Sequence, residues 1–138
     1  MEGEFMSSNT VLQVCHEKDF CFRLKCRDHE MTVDLPPASG GSDSGPTPPE
    51  LLAAALGSCV GVYVVEYCRR HGIPHEGLKI DVSWEDGKAP SRVKSFAVRV
   101  SLPDGVPAEH ADRLKKYAEQ CKVHNTLLHK PEVELSIS

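Results

Sequence analysis

Hydrophobic and polar residues alternate along the first quarter of the chain, and this period of two predicts β-strands. Between residues 20 and 27, the apolar side chains mostly fall on one face and the charged ones on the other. The alternation returns over residues 31–35 and, less regularly, over residues 10–16. We therefore expect three strands before residue 36.

The segment at residues 36–49 has the sequence PPASGGSDSGPTPP. Its prolines remove backbone donors, and its glycines and serines resist any regular pattern, so it predicts a loop. A loop of this length inside a small domain is usually functional or disordered rather than a simple connection.

An uncharged apolar run follows over residues 51–65, which is too long for a typical strand and too short to span a membrane. It predicts a buried helix with Thr47 as N-cap, Pro48 in the first helical position and Glu50 completing a capping box. Gly72 is expected to end this helix. Because the helix is apolar nearly all round, a second copy of the chain is its most economical cover.

The second half of the chain predicts a hairpin, a helix and a final strand. Residues 78–85 and 96–102 alternate and are separated by a turn at residues 87–90. From Pro107 an amphipathic helix is expected, with the apolar stripe Ala111, Leu114, Ala118 and Cys121. A last alternation consists of Val133, Leu135 and Ile137. The order βββ-α-ββ-α-β predicts one α+β domain over residues 1–138, with antiparallel sheets.

Charge and length limit the classes of partner. The 138 residues include 16 Lys and Arg against 20 Asp and Glu, a net charge of −4, so we expect neither nucleic acid nor a membrane as partner. The first residues lack the basic and apolar segments of a signal peptide, which favours a cytoplasmic protein. Residues 1–5 resemble a cloning scar ahead of Met6.

The six cysteines favour neither a disulfide framework nor a metal site, and we expect no cofactor. No Cys-x-x-Cys occurs, and the nearest approach to a ligand pair is Cys121 with His124. The predicted helices bring Cys59 and Cys121 to internal faces, which makes them a candidate redox pair. The alternative is that both thiols pack as small hydrophobic groups.

Two sequence segments carry a resemblance to a known family. PPELLAAALGSC, ending on Cys59, and CKVHNTL, beginning at Cys121, resemble the two cysteine motifs of the OsmC and Ohr proteins (osmotically inducible protein C and organic hydroperoxide resistance protein). The motifs occur in the family's order, about sixty residues apart. The resemblance runs from about Asp19 to the end of the chain.

The resemblance implies an interlocked homodimer, with long helices at its centre, sheets wrapped around them and active sites at the subunit interface. It implies that Cys59 attacks an organic hydroperoxide and becomes a sulfenic acid, which Cys121 resolves into a disulfide. A dithiol, often protein-bound dihydrolipoamide, then restores both thiols. The chain would thus be a peroxidase in oxidative-stress defence.

The attack requires a thiolate, so the pKa of Cys59 must fall although an apolar setting raises it. Cys59 lies about 18 Å from the helix start at 1.5 Å per residue, beyond the reach of the helix dipole, so a nearby cation is expected. Better-known relatives use an arginine from an early strand, held by a glutamate. Here Pro49 occupies the glutamate position, and the adjacent Glu50 is either a cap or a site residue. Arg23 and Arg27 are equal candidates for the arginine.

A second function is also possible, because Pro49 stands where better-known relatives have the glutamate that holds the arginine. A relative with this fold could bind a small hydrophobic or thiol-reactive ligand, or sense oxidation, without useful turnover. His124, three residues after Cys121, is interpreted as a helix cap, an exposed residue or a polar lining of the site.

Overall fold

The computed structural model describes residues 11–138, which form two compact units that divide between Leu51 and Leu52. The suggested cloning scar at residues 1–5 and the predicted strand start at Thr10 lie outside the described residues. The assignment of one domain to the whole chain stays a prediction.

The first unit contains a three-stranded antiparallel sheet. Its strands β1 (Gln13–Lys18), β2 (Cys21–Cys26) and β3 (His29–Val33) pair in the order β1-β2-β3. The prediction of three strands before residue 36 is thereby confirmed. Arg27 was expected on a strand, and this was wrong: it lies in the β2–β3 turn with a φ of 56°.

The segment after β3 is a loop that contains one short 3-10 turn, Pro37–Ser39, as the prolines, glycines and serines predicted. Its anchor is Asp34, which is 1% exposed. The carboxylate accepts hydrogen bonds from the backbone N–H groups of Leu35 (2.7 Å), Ser42 (3.2 Å) and Ser44 (3.1 Å), and from the Ser44 hydroxyl (2.6 Å). The loop is therefore wrapped around a buried charge that it solvates.

Two glycines allow this loop to fold back on the strand that precedes it. A Cβ on Gly41 would lie 2.0 Å from the Leu35 carbonyl oxygen, and one on Gly45 would lie 2.1 Å from that of Thr32. No side chain fits at such distances, so the loop depends on glycine at both positions.

Helix α1 (Pro48–His71) begins and ends where the sequence predicted. The Thr47 N–H donates to Glu50 Oε1 at 2.8 Å, and the Glu50 N–H donates to Thr47 Oγ1 at 3.3 Å, which confirms the capping box. Gly72 follows with a φ of 65°, the left-handed conformation in which glycine commonly ends a helix.

In the second unit, β4 (Lys79–Gly87) and β5 (Arg92–Ser101) form the predicted antiparallel hairpin. Helix α1 lies against β4 at two glycines. A Cβ on Gly57 would lie 2.9 Å from Val82 Cγ2, and one on Gly61 would lie 2.8 Å from Ile80 Cδ1. Because Gly57 and Gly61 have no side chains, α1 can approach β4 this closely.

The amphipathic helix is shorter than predicted. A 3-10 turn, Ala108–His110, leads into α2 (Ala111–Ala118), and a separate helix α3 (Lys122–Leu128) follows. Cys121 was expected to be the last residue of the amphipathic helix, and this was wrong. Its φ of −58° and ψ of 140° are extended, and it is the N-cap of α3.

The final strand was also predicted wrongly for the single chain. Residues 131–138 have no regular secondary structure. Val133, Leu135 and Ile137 are 84%, 81% and 89% exposed. A strand needs a partner edge to satisfy its backbone groups, and in the described residues no edge pairs with this segment.

Helix α1 is the central element of the core in the second unit. Its buried residues Leu56, Val60, Val64, Tyr67 and Cys68 join one cluster with residues of the sheet and the later helices. By length and composition alone the whole of α1 could cross a membrane, although its uncharged run at residues 51–65 is shorter than a span. In the structure 44% of its most apolar window is buried, and its buried residues belong to the core cluster of the second unit.

Asp34→Asn is expected to destabilise the fold at neutral pH, because an amide group replaces one of the acceptor oxygens. Hydrogen bonds, first from the Ser44 hydroxyl and then from the backbone of Leu35, lower the pKa of Asp34 to about 2 against the effect of burial. The stabilisation by Asp34 is then complete above the unfolded pKa of about 3.9 and is lost as the pH falls through the folded value. Thermal unfolding between pH 7 and pH 2 should show the wild-type advantage disappear.

The matched control is Asp43→Asn, an exposed carboxylate in the same loop. Its unfolding temperature should stay close to the wild-type value throughout. An Asp34→Asn variant as stable as wild type at pH 7 would contradict the assigned role of the carboxylate.

Gly57→Ala and Gly61→Ala should differ in stability although both exchange glycine for a better helix former. Overpacking costs about 1–3 kcal/mol, and the helix preference of alanine returns up to about 1 kcal/mol. Val82 is branched and stiff, so we expect Gly57→Ala to lower the free energy of unfolding by about 1 kcal/mol. The far end of Ile80 can rotate away, so Gly61→Ala should be neutral or stabilising. Urea unfolding measures both, and equal losses would refute the distinction.

Candidate active site

Cys59 lies in the middle of α1 and is half-buried. Its side chain packs against the core cluster of the second unit. Gly57 and Gly61 flank it along the helix, and residues two apart on an α-helix point about 200° apart. Because the glycines face β4, Cys59 points away from the sheet.

Cys121 is fully buried, with 0% of its surface exposed. As N-cap of α3, its Sγ accepts a hydrogen bond from the backbone N–H of His124 at 3.2 Å. The first N–H groups of a helix have no partner within the helix, and a capping side chain usually serves the second or third. The thiol of Cys121 therefore takes the place that a serine or aspartate commonly holds.

Cys59 lies near the start of α3. The Cys121 thiol and the backbone N–H groups of Val123 and Lys122 are the donors that lower its pKa. The structure thus brings together the two cysteines that the sequence singled out. Three donors converge on Cys59, which suits a negatively charged sulfur.

These contacts set the pKa of Cys59. Burial is the strongest single influence and raises it. The hydrogen bond from Cys121, those from Val123 and Lys122, and the positive charge of Lys122 together lower it, and the net result is a pKa below the ordinary value. Cys59 is therefore the more readily ionised thiol of the pair.

The pKa of Cys121 is shifted the other way. Burial raises it first, and the hydrogen bond that its thiol donates to Cys59 and the charge of the Cys59 thiolate raise it further. The His124 and Val123 backbone N–H groups oppose this only in part. Two neighbouring thiols thus differ chemically, since Cys59 ionises more readily than an ordinary thiol and Cys121 less readily.

The expected arginine is not among the groups that lower the pKa of Cys59. Arg23 lies on β2 in the first unit, where its guanidinium binds Glu17 at 2.7 Å and Glu30 at 3.0 Å. Arg27 is exposed in the turn after β2. A role for either arginine at Cys59 stays a prediction, as does a site role for Glu50, whose carboxylate is engaged in the capping box.

Sequence reasoning missed Lys122 and the backbone donors beside it. The signal was present, since a lysine directly follows Cys121. The apolar stripe of the preceding helix continued in register to Cys121, however, and concealed the break in the chain that makes this cysteine a cap. The interpretation of His124 as standing at a helix end was wrong, because it lies in the first turn of α3.

The other cysteines are separate from this site. Cys68 is fully buried, and burial raises its pKa. Cys21 lies 3.5 Å from the Ser44 hydroxyl in the first unit. All six thiols are free, and within residues 11–138 no group of three or more metal-binding side chains comes together.

Comparison with known proteins places this geometry in a family. The sequence profile described as OsmC-like protein matches residues 41–136, which include both cysteines. No curated protein matches the chain at a significant level.

Solved structures share the fold at low sequence identity. A proposed osmotic stress induced and detoxification response protein from Psychrobacter arcticus is 20% identical, with a TM-score of 0.77 over 83% of this chain and 85% of its own. An OsmC-like protein from Mycoplasma pneumoniae is 15% identical, with a TM-score of 0.73 over 88% and 89%. An organic hydroperoxide resistance protein OsmC from Legionella pneumophila is 18% identical, with a TM-score of 0.62 over 88% and 90%. Given the profile match over most of its length, the chain belongs to the OsmC-like protein family.

Proposed function

We propose that this protein is a cysteine-based peroxidase that reduces organic hydroperoxides in oxidative-stress defence. The observation that carries the proposal is the proximity of Cys59 and Cys121, whose pKa values are shifted in opposite directions. Structural relatives described as organic hydroperoxide resistance proteins, such as the one from Legionella pneumophila, support the choice of reaction.

In the first step, the Cys59 thiolate attacks the terminal oxygen of the hydroperoxide and the O–O bond breaks. Cys59 becomes a sulfenic acid, and the alkoxide leaves. The alkoxide needs a proton, and the Cys121 thiol, already a donor to Cys59, is placed to supply it. The peroxide is reduced to an alcohol by two electrons from Cys59.

In the second step, the Cys121 thiolate attacks the sulfur of the Cys59 sulfenic acid. A disulfide forms, and the departing hydroxide is protonated to water. Cys121 lies near enough to Cys59 for each thiol to shift the pKa of the other, which supports a disulfide between them. A dithiol, such as a lipoylated protein, then reduces the disulfide and returns both thiols.

We further infer a cytoplasmic homodimer. Val62 on α1 is 66% exposed, and the three apolar residues near the C-terminus are more exposed still. Apolar side chains this exposed on a long helix and on a terminal segment that alternates like a strand are typical of surfaces that a partner covers. A second copy of the chain would remove this surface from water.

A second candidate is a protein of the same fold that binds a ligand or senses oxidation without useful turnover. Pro49 lacks the carboxylate that positions an arginine in better-known relatives, and Arg23 is neutralised by Glu17 and Glu30. Such a protein would form the disulfide once under peroxide but would not complete repeated cycles with a dithiol.

Cys59→Ser should reduce turnover of cumene hydroperoxide with dihydrolipoamide to the background rate, because no nucleophilic sulfur remains to attack. Cys121→Ser should retain the first step and accumulate the Cys59 sulfenic acid, which mass spectrometry detects as a dimedone adduct. Cys15→Ser, a change at an exposed cysteine, is the control and should leave both readouts unchanged.

These measurements distinguish the peroxidase from the ligand-binding or sensing protein. Turnover that survives Cys59→Ser would refute the proposed nucleophile. Disulfide formation without turnover in the wild-type protein would favour the sensor instead.

Lys122→Gln should slow alkylation of Cys59 by iodoacetamide at pH 7, because a positive charge that lowers the pKa of Cys59 is lost. An exposed charge contributes about 0.2–1 kcal/mol, so the rate should fall by a factor of about 1.4 to 5. The rate profile against pH should move to higher pH, since the thiolate then forms later. Peptide mass mapping isolates Cys59 from the other thiols.

Lys116→Gln is the matched control, as it removes an exposed lysine from the preceding helix. Its alkylation profile should overlay that of the wild type. Equal slowing by both substitutions would show a general effect of net charge rather than a role for Lys122.

A further inference from the structure

The three tyrosines of the chain lie together in the second unit. Tyr63 and Tyr67 are on α1, and Tyr117 is on α2. The ring centroid of Tyr117 lies 5.7 Å from that of Tyr63 and 5.7 Å from that of Tyr67. Aromatic rings in contact have centroids about 4.5–7 Å apart, so these side chains form one continuous tyrosine cluster.

The tyrosine cluster begins one helical turn after Cys59. Tyr63 is four residues from Cys59 on α1, and residues at this spacing are neighbours on one helix face, with Cβ atoms about 5–6 Å apart. Both side chains pack against the core cluster of the second unit. Tyr67 is four residues further on, so Cys59, Tyr63 and Tyr67 form a stripe along α1, with Tyr117 in contact with both tyrosine rings.

The other end of the tyrosine cluster reaches the surface. The ring of His71, which is exposed, stacks on that of Tyr67 with centroids 4.1 Å apart. The Tyr117 hydroxyl donates to the carboxylate of Glu66, which is also exposed. Aromatic contacts therefore extend from the neighbourhood of a half-buried thiol to solvent.

Two of the three phenols are hydrogen-bonded to a base. The Tyr67 hydroxyl lies 2.8 Å from His110 Nδ1. The Arg113 guanidinium can only donate and lies 3.4 Å from the same nitrogen, so Nδ1 is the acceptor and Tyr67 the donor. The hydrogen bond to Glu66, followed by burial, raises the pKa of Tyr117, so this phenol also keeps its proton. Each phenol thus has a base placed to take that proton.

This arrangement suits the one-electron oxidation of tyrosine. A phenol that loses an electron becomes a strong acid, so its oxidation is favourable when a neighbouring base takes the proton in the same step. Packing alone accounts for the ring contacts, and buried phenols commonly find a hydrogen-bond partner. Packing does not require that every tyrosine of the chain join one path from the reactive thiol, nor that the partners of two of them be bases.

We propose that the tyrosine cluster carries single oxidising equivalents from Cys59 to the protein surface. The oxidant is an alkoxyl radical, which forms when a hydroperoxide breaks down by one electron. It takes an electron from the Cys59 thiolate and a proton from water and leaves as an alcohol, so Cys59 becomes a thiyl radical.

The second half of the route restores the thiolate. An electron passes from Tyr67 or Tyr117 through Tyr63 to the Cys59 sulfur. The phenol proton moves to the hydrogen-bonded base, and a neutral tyrosyl radical remains. A reductant of the ascorbate or thiol class then returns an electron and a proton from solvent. This route is separate from the two-electron peroxidase reaction, since neither a sulfenic acid nor a disulfide forms along it.

Photolysis of the S-nitrosated full chain tests the proposal, because light breaks the S–N bond and leaves a thiyl radical and nitric oxide. The chain carries Cys121→Ser, which prevents a disulfide with Cys59, and peptide mass mapping verifies that Cys59 is nitrosated. After illumination in frozen solution and stepwise annealing, we expect the electron paramagnetic resonance spectrum to show a tyrosyl radical. The same chain with Cys59→Ser, nitrosated at its remaining exposed thiols, should give no tyrosyl signal.

Substitutions that keep the ring and remove the phenol then locate the route. Tyr63→Phe should leave the radical on Cys59, because the relay between the sulfur and the other tyrosines is lost. Tyr67→Phe combined with Tyr117→Phe should abolish the stable tyrosyl signal, because no phenol with a base remains. The matched control is Trp84→Phe, which changes the single tryptophan of the chain, on β4, and should leave the signal unchanged. Thermal unfolding verifies that each variant is folded.

Three outcomes would overturn the proposal. The first is a Cys59 thiyl radical that decays without a tyrosyl signal. The second is an equal tyrosyl signal with and without Cys59, and the third is an unchanged signal in Tyr63→Phe. Peroxidase turnover plays no part in this measurement, so failure of either proposal leaves the other standing.

Discussion

The close approach of α1 to β4 determines where the reactive thiol lies. Gly57 and Gly61 let the helix rest on Val82 and Ile80, where a Cβ at either position would lie within 3 Å of a sheet side chain. Since Cys59 lies midway between these glycines, it must face the opposite side, where α3 begins. One packing contact thus orients the thiol toward its donors.

The half-buried Cys59 thiol ionises more readily because its donors come from the start of a second helix. The dipole of α1 acts mainly within its first turn, and Cys59 lies well beyond that turn. The first N–H groups of α3 stabilise the Cys59 thiolate instead, because they have no hydrogen-bond partner within their own helix. Because Cys121 caps α3, its thiol also lies beside Cys59. The lowered pKa of Cys59 and its proposed disulfide with Cys121 therefore both depend on the start of α3.

Local patterns made most of the fold predictable. The capping box of α1 involves residues three apart, and the alternation in β2 and β5 records burial on one face; both signals can be recognised in the sequence. The end of α2 could not be predicted, because the stripe from Ala111 to Cys121 keeps its helical period across a break. The N–H groups that activate Cys59 carry no sequence signal, since every residue but proline has one. Sequence reasoning therefore identified both cysteines but sought their activation in an arginine side chain.

The strand predicted near the C-terminus was wrong for a different physical reason. Val133, Leu135 and Ile137 alternate with polar residues, a pattern that corresponds to a strand with one buried face. In the single chain they are almost fully exposed, and over residues 11–138 the β4–β5 sheet has two strands. Two-stranded sheets are marginal unless other elements cover them, and unpaired apolar strands promote association. Such a segment is best explained by a partner chain, and the pattern that misled prediction for one copy is itself an argument for the proposed homodimer.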